Sequence, residues 1–399
     1  MPVQSTTAKN SLRWTTLQLL AIVATSGLLT FFGARALFRD VAFHPSSAKS
    51  DIAGNSTGLA HTSRNNQSVD SISGHARTDF PAQWTQLCAQ ANTPQRDRQL
   101  AALIEELART DHSRAFSLVD AESNWRLREE LRDAALRGWA SADPDAAGDW
   151  ALQTRTEDRV QAVSAVLAGA AAHPESAVKL ALRLCAADPE SAGDFGHAAV
   201  AALSENGNFE SAARFGQSAG MEKYPFLLRS AFFQWARNQP NSALAAAQRI
   251  ENPTTREQVV AETLAGWAWA DAKALAEYAR TLPASAIREK AFAEALPQWV
   301  ERDPDAATAW INKQDAGPEF DAGIETVANL QSIITAHPDT AMALAGSISD
   351  PARRSHALRA VFRQWATNNP DAARAYVNKA GGTADYALLM DELKDMSPN

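Results

Sequence analysis

Two short strings in the chain have the residue types for covalent chemistry. Gly54-Asn55-Ser56-Thr57-Gly58 is a Gly-x-Ser-x-Gly string, which in a nucleophile elbow aims a serine oxygen out of a strand-to-helix turn. It lies in a stretch without apolar periodicity, so the strand and helix that would present the serine are not expected and the match is accidental. Ser176 and Lys179 have the Ser-x-x-Lys spacing of an acylating serine with a lysine beside it. The companion motifs are missing, and a solvated lysine on a helix explains the pair.

The eight histidines are scattered, with no His-x-x-x-His pair and no His-Glu-x-x-His, the spacings that turn two imidazoles to one helix face around a metal. His112, His173 and His337 are expected to be turn residues. Cys88 and Cys185 are too few for a disulfide scaffold and lack the paired spacing of a thiolate metal site. Both read as small buried residues. No catalytic, metal-binding or cofactor-binding residue is assigned, and the chain reads as a non-enzyme. A net charge of −8 over 399 residues argues against a nucleic-acid partner, which needs a basic face to neutralise phosphates. A protein or peptide partner is expected instead.

One set of charged side chains does recur. Arg96, Arg128, Arg256, Arg288 and Arg354 hold equivalent positions in a repeat, with Arg159 one place off. They fall at the start of a helix, where the macrodipole disfavours a cation, so something must compensate. Two readings follow: the guanidinium groups bond to carbonyls or carboxylates that pin a turn, or they form a row about 10 Å apart that meets an acidic partner. This ladder is the candidate partner-binding set.

The elements that position it come from the period. Trp139-Ala-Ser-Ala-Asp-Pro144, Trp235-Ala-Arg-Asn-Gln-Pro240, Trp299-Val-Glu-Arg-Asp-Pro304 and Trp365-Ala-Thr-Asn-Asn-Pro370 share one phrase. Anchoring on its last residue gives ten units, starting at Pro81, His112, Pro144, Pro174, Phe209, Pro240, Ala272, Pro304, Pro338 and Pro370, with a mean step of about 32 residues. Three places after the anchor stands alanine in eight units, from Ala115 to Ala373, and eight places before it the residue is always apolar, from Ile104 to Phe362. Those positions played no part in choosing the register, so they confirm it.

Each unit reads as two helices. Proline fits the first turn of a helix and pushes the residue before it out of the helical region, ending the previous helix. Asp143, Asp303 and Asn369 stand where an N-cap belongs. The first helix carries alanine at +3, and the second buries −8 and the tryptophan at −5, the expected core mass.

Val260 and Leu264 before Ala272, Phe292 and Leu296 before Pro304, and Leu358 and Phe362 before Pro370, followed by Trp150 or Trp310 on the next first helix, resemble the tetratricopeptide-type helical repeat. The pattern is also similar to bacterial proteins built of Trp-Ala-x-x-Asp-Pro-x-x-Ala repeats. The Leu-Gly pair of the tetratricopeptide first helix is missing, and the period is about two residues short. Neither resemblance implies an enzyme.

Ahead of the repeats, Trp14 to Ala34 has no charge over 21 residues, enough to span about 30 Å of hydrocarbon. Residues 14–36 are therefore expected to form a transmembrane helix after a short tail, 1–13. Ala34-Arg35-Ala36 also fits cleavage of a signal segment. Residues 37–80, rich in Ser, Asn, Thr and Gly, read as a flexible linker, 81–399 as the repeat array, and 383–395 as its closing helix after Gly381-Gly382.

The expected fold class is all-α: an α-solenoid of about ten hairpins, tetratricopeptide-like, behind one transmembrane helix and a disordered tether. Its first helices would line a concave face that takes a protein or peptide partner. The expected function is a membrane-tethered, non-catalytic interaction scaffold, single-pass in a bacterial inner membrane with an extracytoplasmic body. Alternatives are a secreted or periplasmic protein cleaved near Ala36, an accessory to an envelope-processing enzyme, or a membrane-bound regulator that sequesters a soluble factor.

Overall fold

The computed structural model describes residues 80–314, 317–379 and 386–395. Ten helix pairs follow one another along them. The first five are α1 (Phe80–Cys88) with α2 (Pro94–Ala108), α3 (His112–Asp120) with α4 (Trp125–Ala142), α5 (Pro144–Leu152) with α6 (Thr156–Ala170), α7 (Pro174–Ala187) with α8 (Ala192–Glu205), and α9 (Phe209–Gly216) with α10 (Pro225–Asn238). Next, α11 (Pro240–Ala247) leads into α12 (Pro253–Thr281), whose part after Asp271 precedes α13 (Ala286–Arg302). The last three are α14 (Pro304–Ile311) with α15 (Pro318–Ala328) and its continuation α16 (Gln331–Ala336), α17 (Pro338–Gly346) with α18 (Pro351–Asn368), and α19 (Pro370–Lys379) with α20 (Tyr386–Asp395).

Several turns between units share one local cause. The residue before the anchor leaves the helical region in the same way at three of them: φ/ψ is −138/82 at Asp143, −146/77 at Asp303 and −148/80 at Asn369. There its side chain caps the next helix, Asp143 accepting from Ala146 N at 3.1 Å, Asp303 from Ala306 N at 3.1 Å and Asn369 from Ala372 N at 3.2 Å, whereas His173, Asn208, Gln239 and His337 precede their helices without a side-chain cap. Inside α12 the anchor is Ala272, not proline, yet Asp271 adopts φ/ψ of −150/87 and accepts from Ala274 N at 2.9 Å. The capping carboxylate and the packing around it therefore set the bend even without proline.

The +3 alanines are buried throughout, as are Trp139, Trp235, Trp267, Trp299 and Trp365 at −5. Of the −8 residues only Ala201 and Leu330 are half-buried; Leu330 falls at the break between α15 and α16. A continuous apolar seam runs from Leu136 to Leu389, and a second cluster, Leu100 to Ala135, meets it through Phe116.

The array is built on its second helices: α2, α4, α6, α8, α10, α12, α13, α15, α18 and α20 pack each on the next without interruption, while direct packing between first helices runs only from α5 to α7 to α9. Glycines make this approach possible. A Cβ on Gly138 would stand 2.0 Å from the Glu105 carbonyl oxygen, on Gly169 2.2 Å from that of Arg137, and on Gly266 2.4 Å from that of Phe233. Arg353 on α18 pairs with Glu289 on α13 across the intervening α15.

The transmembrane part of the fold class is corrected. Among the described residues no helix is long and apolar enough to cross a membrane. Residues 14–36, on which the span was placed, and 37–79 of the linker lie outside the described residues. The single-pass localisation, attachment to a membrane through an N-terminal helix and the membrane-tethered function rested on that segment and are corrected with it. What stands is an all-α array of about twenty helices with repeating helix-pair contacts.

Candidate partner-binding surfaces

The arginine ladder occupies the first turn of the second helices and bends back toward the preceding turn. Arg128 Nη1 donates to Glu122 O at 3.2 Å, Arg256 to Ile250 O at 2.8 Å, Arg288 to Leu282 O at 3.2 Å and Arg354 to Ile348 O at 2.8 Å. Each acceptor lies six residues upstream, within three residues past the end of the preceding helix. The carbonyls there carry the negative pole of that helix, which supplies the compensation that the position demands. Arg159 combines Thr154 O with the Asp188 carboxylate at 2.7 Å, and that ion pair holds the Asp188 carboxyl below its ordinary pKa. Arg96 departs from the rule, bonding to Asn92 and Asp97.

Ser176 and Lys179 are both exposed on α7. Ser56 lies outside the described residues. Cys185 is buried, and burial pushes its thiol up to about 11, whereas Cys88 is exposed, contrary to expectation. Among the described residues no three metal-capable side chains lie together.

A cleft of 630 Å³ lies between the second and third pairs, at the junction of the two apolar clusters. Its floor is aromatic. His112 lies flat on Trp139 with ring centroids 4.2 Å apart and planes 5° apart; Phe116 meets Trp150 at 5.1 Å, and Trp139 meets Trp150 edge-on at 6.4 Å. Its rim is acidic, with Asp120, Glu129, Asp133 and Asp158 against Arg132 and Arg155. Arg132 is bound to Glu129 at 2.9 Å, and Arg155 to Glu157. Asp133 makes no ion pair among the described residues and accepts from Gln161 Nε2 at 2.9 Å. Burial, partly offset by that hydrogen bond, raises its pKa above the ordinary aspartate value. A half-buried carboxylate in a cleft with an aromatic floor is suited to a cation.

The sequence placed His112 as a turn residue, but the cap there is Asp111, which accepts from Arg114 N at 3.0 Å, and the imidazole joins the floor. The cleft was otherwise unread, since its walls come from four helices. Asp321 was missed as well. It is buried in α15 and accepts from Ser349 N at 2.9 Å, Ser349 Oγ at 2.5 Å and Asp350 N at 2.9 Å, closing the turn into α18. An aspartate within the otherwise apolar run of a second helix was its only signal.

The fold and its surfaces define a class: an all-α helical-repeat array with concave, charged and aromatic surfaces. No family model, no curated protein and no solved structure matches the chain.

Proposed function

We propose that the chain is a non-catalytic interaction scaffold whose cleft between α3, α4, α5 and α6 takes a lysine or arginine side chain of a protein segment. The observation that carries the reading is Asp133, a half-buried carboxylate raised in pKa and without an ion pair, set above a floor of Trp139, Trp150, Phe116 and His112. A desolvated acid costs stability, and an incoming ammonium or guanidinium relieves that cost through charge and cation–π attraction. At 630 Å³ the cleft has room for such a side chain together with neighbouring parts of its segment. The kinship with tetratricopeptide-type and Trp-Ala-x-x-Asp-Pro arrays belongs to the same reading, supported by the repeated phrase and the buried −5 tryptophans. The arginine ladder enters as a turn clamp, because its guanidinium groups already donate to turn carbonyls.

The test is to pan a displayed random-peptide library on the full chain. Recovered sequences are expected to carry lysine or arginine and to be lost on Asp133→Asn or Trp150→Ala. They are expected to survive Arg256→Ala, which lowers thermal stability alone. Recovery of no peptides, or of peptides indifferent to both cleft variants, overturns the assignment.

A further inference from the structure

Trp267 and Trp269 stand two residues apart, and only the first is core. Trp269 remains 50% exposed, on the last turn of the helical stretch that ends at Asp271. It is not bare. The Arg237 guanidinium of α10 stands 3.8 Å from its ring centroid, and that of Arg302 on α13 stands 5.8 Å away. Three successive second helices thus present a cation, an indole and a cation in order along the row.

The bonding of the two arginines is incomplete. Arg237 donates to Gln234 Oε1 at 3.0 Å, and its Nε is buried without a partner. Arg302 reaches only Ala268 O and Gln298 Oε1, both at 3.5 Å. Every one of these acceptors is neutral, and neither arginine has an ion pair among the described residues. Burial lowers the Arg237 pKa with no opposing contribution, the mark of a desolvated cation without a counter-ion. The acids closest in sequence do not fill the role: Asp271 caps Ala274 N, and Glu301, exposed beside Arg302, pairs with neither guanidinium.

A guanidinium lying against an aromatic ring keeps its in-plane N–H groups available for a carboxylate, and the ring beside it offers apolar area to a neighbouring side chain. We propose that Arg237, Trp269 and Arg302 form a docking surface for a carboxylate-bearing protein segment in which an apolar residue neighbours Asp or Glu. This surface is separate from the cleft at the second and third pairs, is opposite to it in charge, and does not depend on that assignment. The chain's overall charge of −8 repels polyanions, so retention of an acidic segment must come from a local site.

The experiment is fluorescence anisotropy of the full chain with a labelled Asp-Glu-Leu repeat peptide and with a matched Lys-Lys-Leu peptide. Saturable binding of the acidic peptide is expected. It weakens by at least about tenfold in Arg302→Gln and in Trp269→Ala, as for loss of a charge-assisted or stacking contact. Arg280→Gln, at an exposed arginine already paired with Glu277, leaves it unchanged. Arg302 is exposed, so its variant keeps the helical circular-dichroism signal of the parent; Arg302→Lys restores only part of the affinity if the planar fork matters. Absence of saturable binding overturns the proposal, and so does equal loss in Arg280→Gln. Binding of the basic peptide that is sensitive to Asp133→Asn reports on the cleft alone.

Discussion

At the residue scale, the same charged group can serve the fold or oppose it, and its immediate partners decide which. Asp321 is buried, yet Ser349 and Asp350 supply donors to its oxygens, so it fastens a turn. Asp133 is half-buried with a single side-chain hydrogen bond, so its charge is a cost. Because burial sets its folded pKa above the unfolded value, its contribution to stability is fully present below the ordinary aspartate range, about 3.9, and is lost as pH rises through the raised value. Asp133→Asn is therefore expected to melt higher than the parent near neutral pH, with the difference closing as the pH falls below about 3.9. Parallel thermal melts check this, and a variant that melts lower at neutral pH refutes it. The expected gain in stability coupled to loss of basic peptides would mark Asp133 as a binding group rather than a structural one.

Glu294 follows the same logic at an interface between elements. Burial, and then the charge of Glu262 on the neighbouring second helix, raise its pKa. At the element scale the more decisive feature is the glycine in the middle of the second helix. Helix propensity favours alanine over glycine there by about 1 kcal/mol. The packing reverses that preference, because a Cβ on Gly266 would sit 2.4 Å from the Phe233 carbonyl oxygen, which is backbone and cannot step aside. Gly266→Ala is expected to destabilise by roughly 2 kcal/mol, within the range for overpacking, as measured by denaturant midpoint at unchanged slope. A neutral or stabilising result would show that α10 and α12 do not approach as closely as described.

At the scale of the whole molecule, each pair packs on its neighbours, with the Arg353–Glu289 bridge across α15 as an exception, so stability is close to a sum of local terms and interfaces. One joint lies where the two apolar clusters meet, within α4 between Ala135 and Leu136. Phe116 is the side chain that packs against both clusters. Phe116→Ala is expected to raise amide hydrogen exchange in α1 to α3 while leaving α13 to α18 unchanged. Uniform acceleration along the chain would show a single cooperative unit instead. The joint and the cleft coincide, since the interruption of the seam leaves the concavity with its aromatic floor.

Much of this architecture was legible in the sequence. The period, the pair of helices per unit, the caps at Asp143, Asp303 and Asn369, and the buried tryptophans at −5 all follow from rules of spacing within one or two turns of chain. Each rests on interactions that the chain makes with itself locally, which is why it repeats with the residues that cause it. The ladder arginines were visible too, though the choice between clamp and contact surface needed the positions of the turn carbonyls. What only the tertiary structure decided depends on distances between units. It decided that second helices rather than first form the unbroken row, because backbone approach at Gly138, Gly169 and Gly266 is a property of two helices together. It likewise separated Trp267, buried in its own unit, from Trp269, held between arginines contributed by the units before and after it. Asp133 is a carboxylate like any other in the sequence, and its environment comes from helices that meet only on folding.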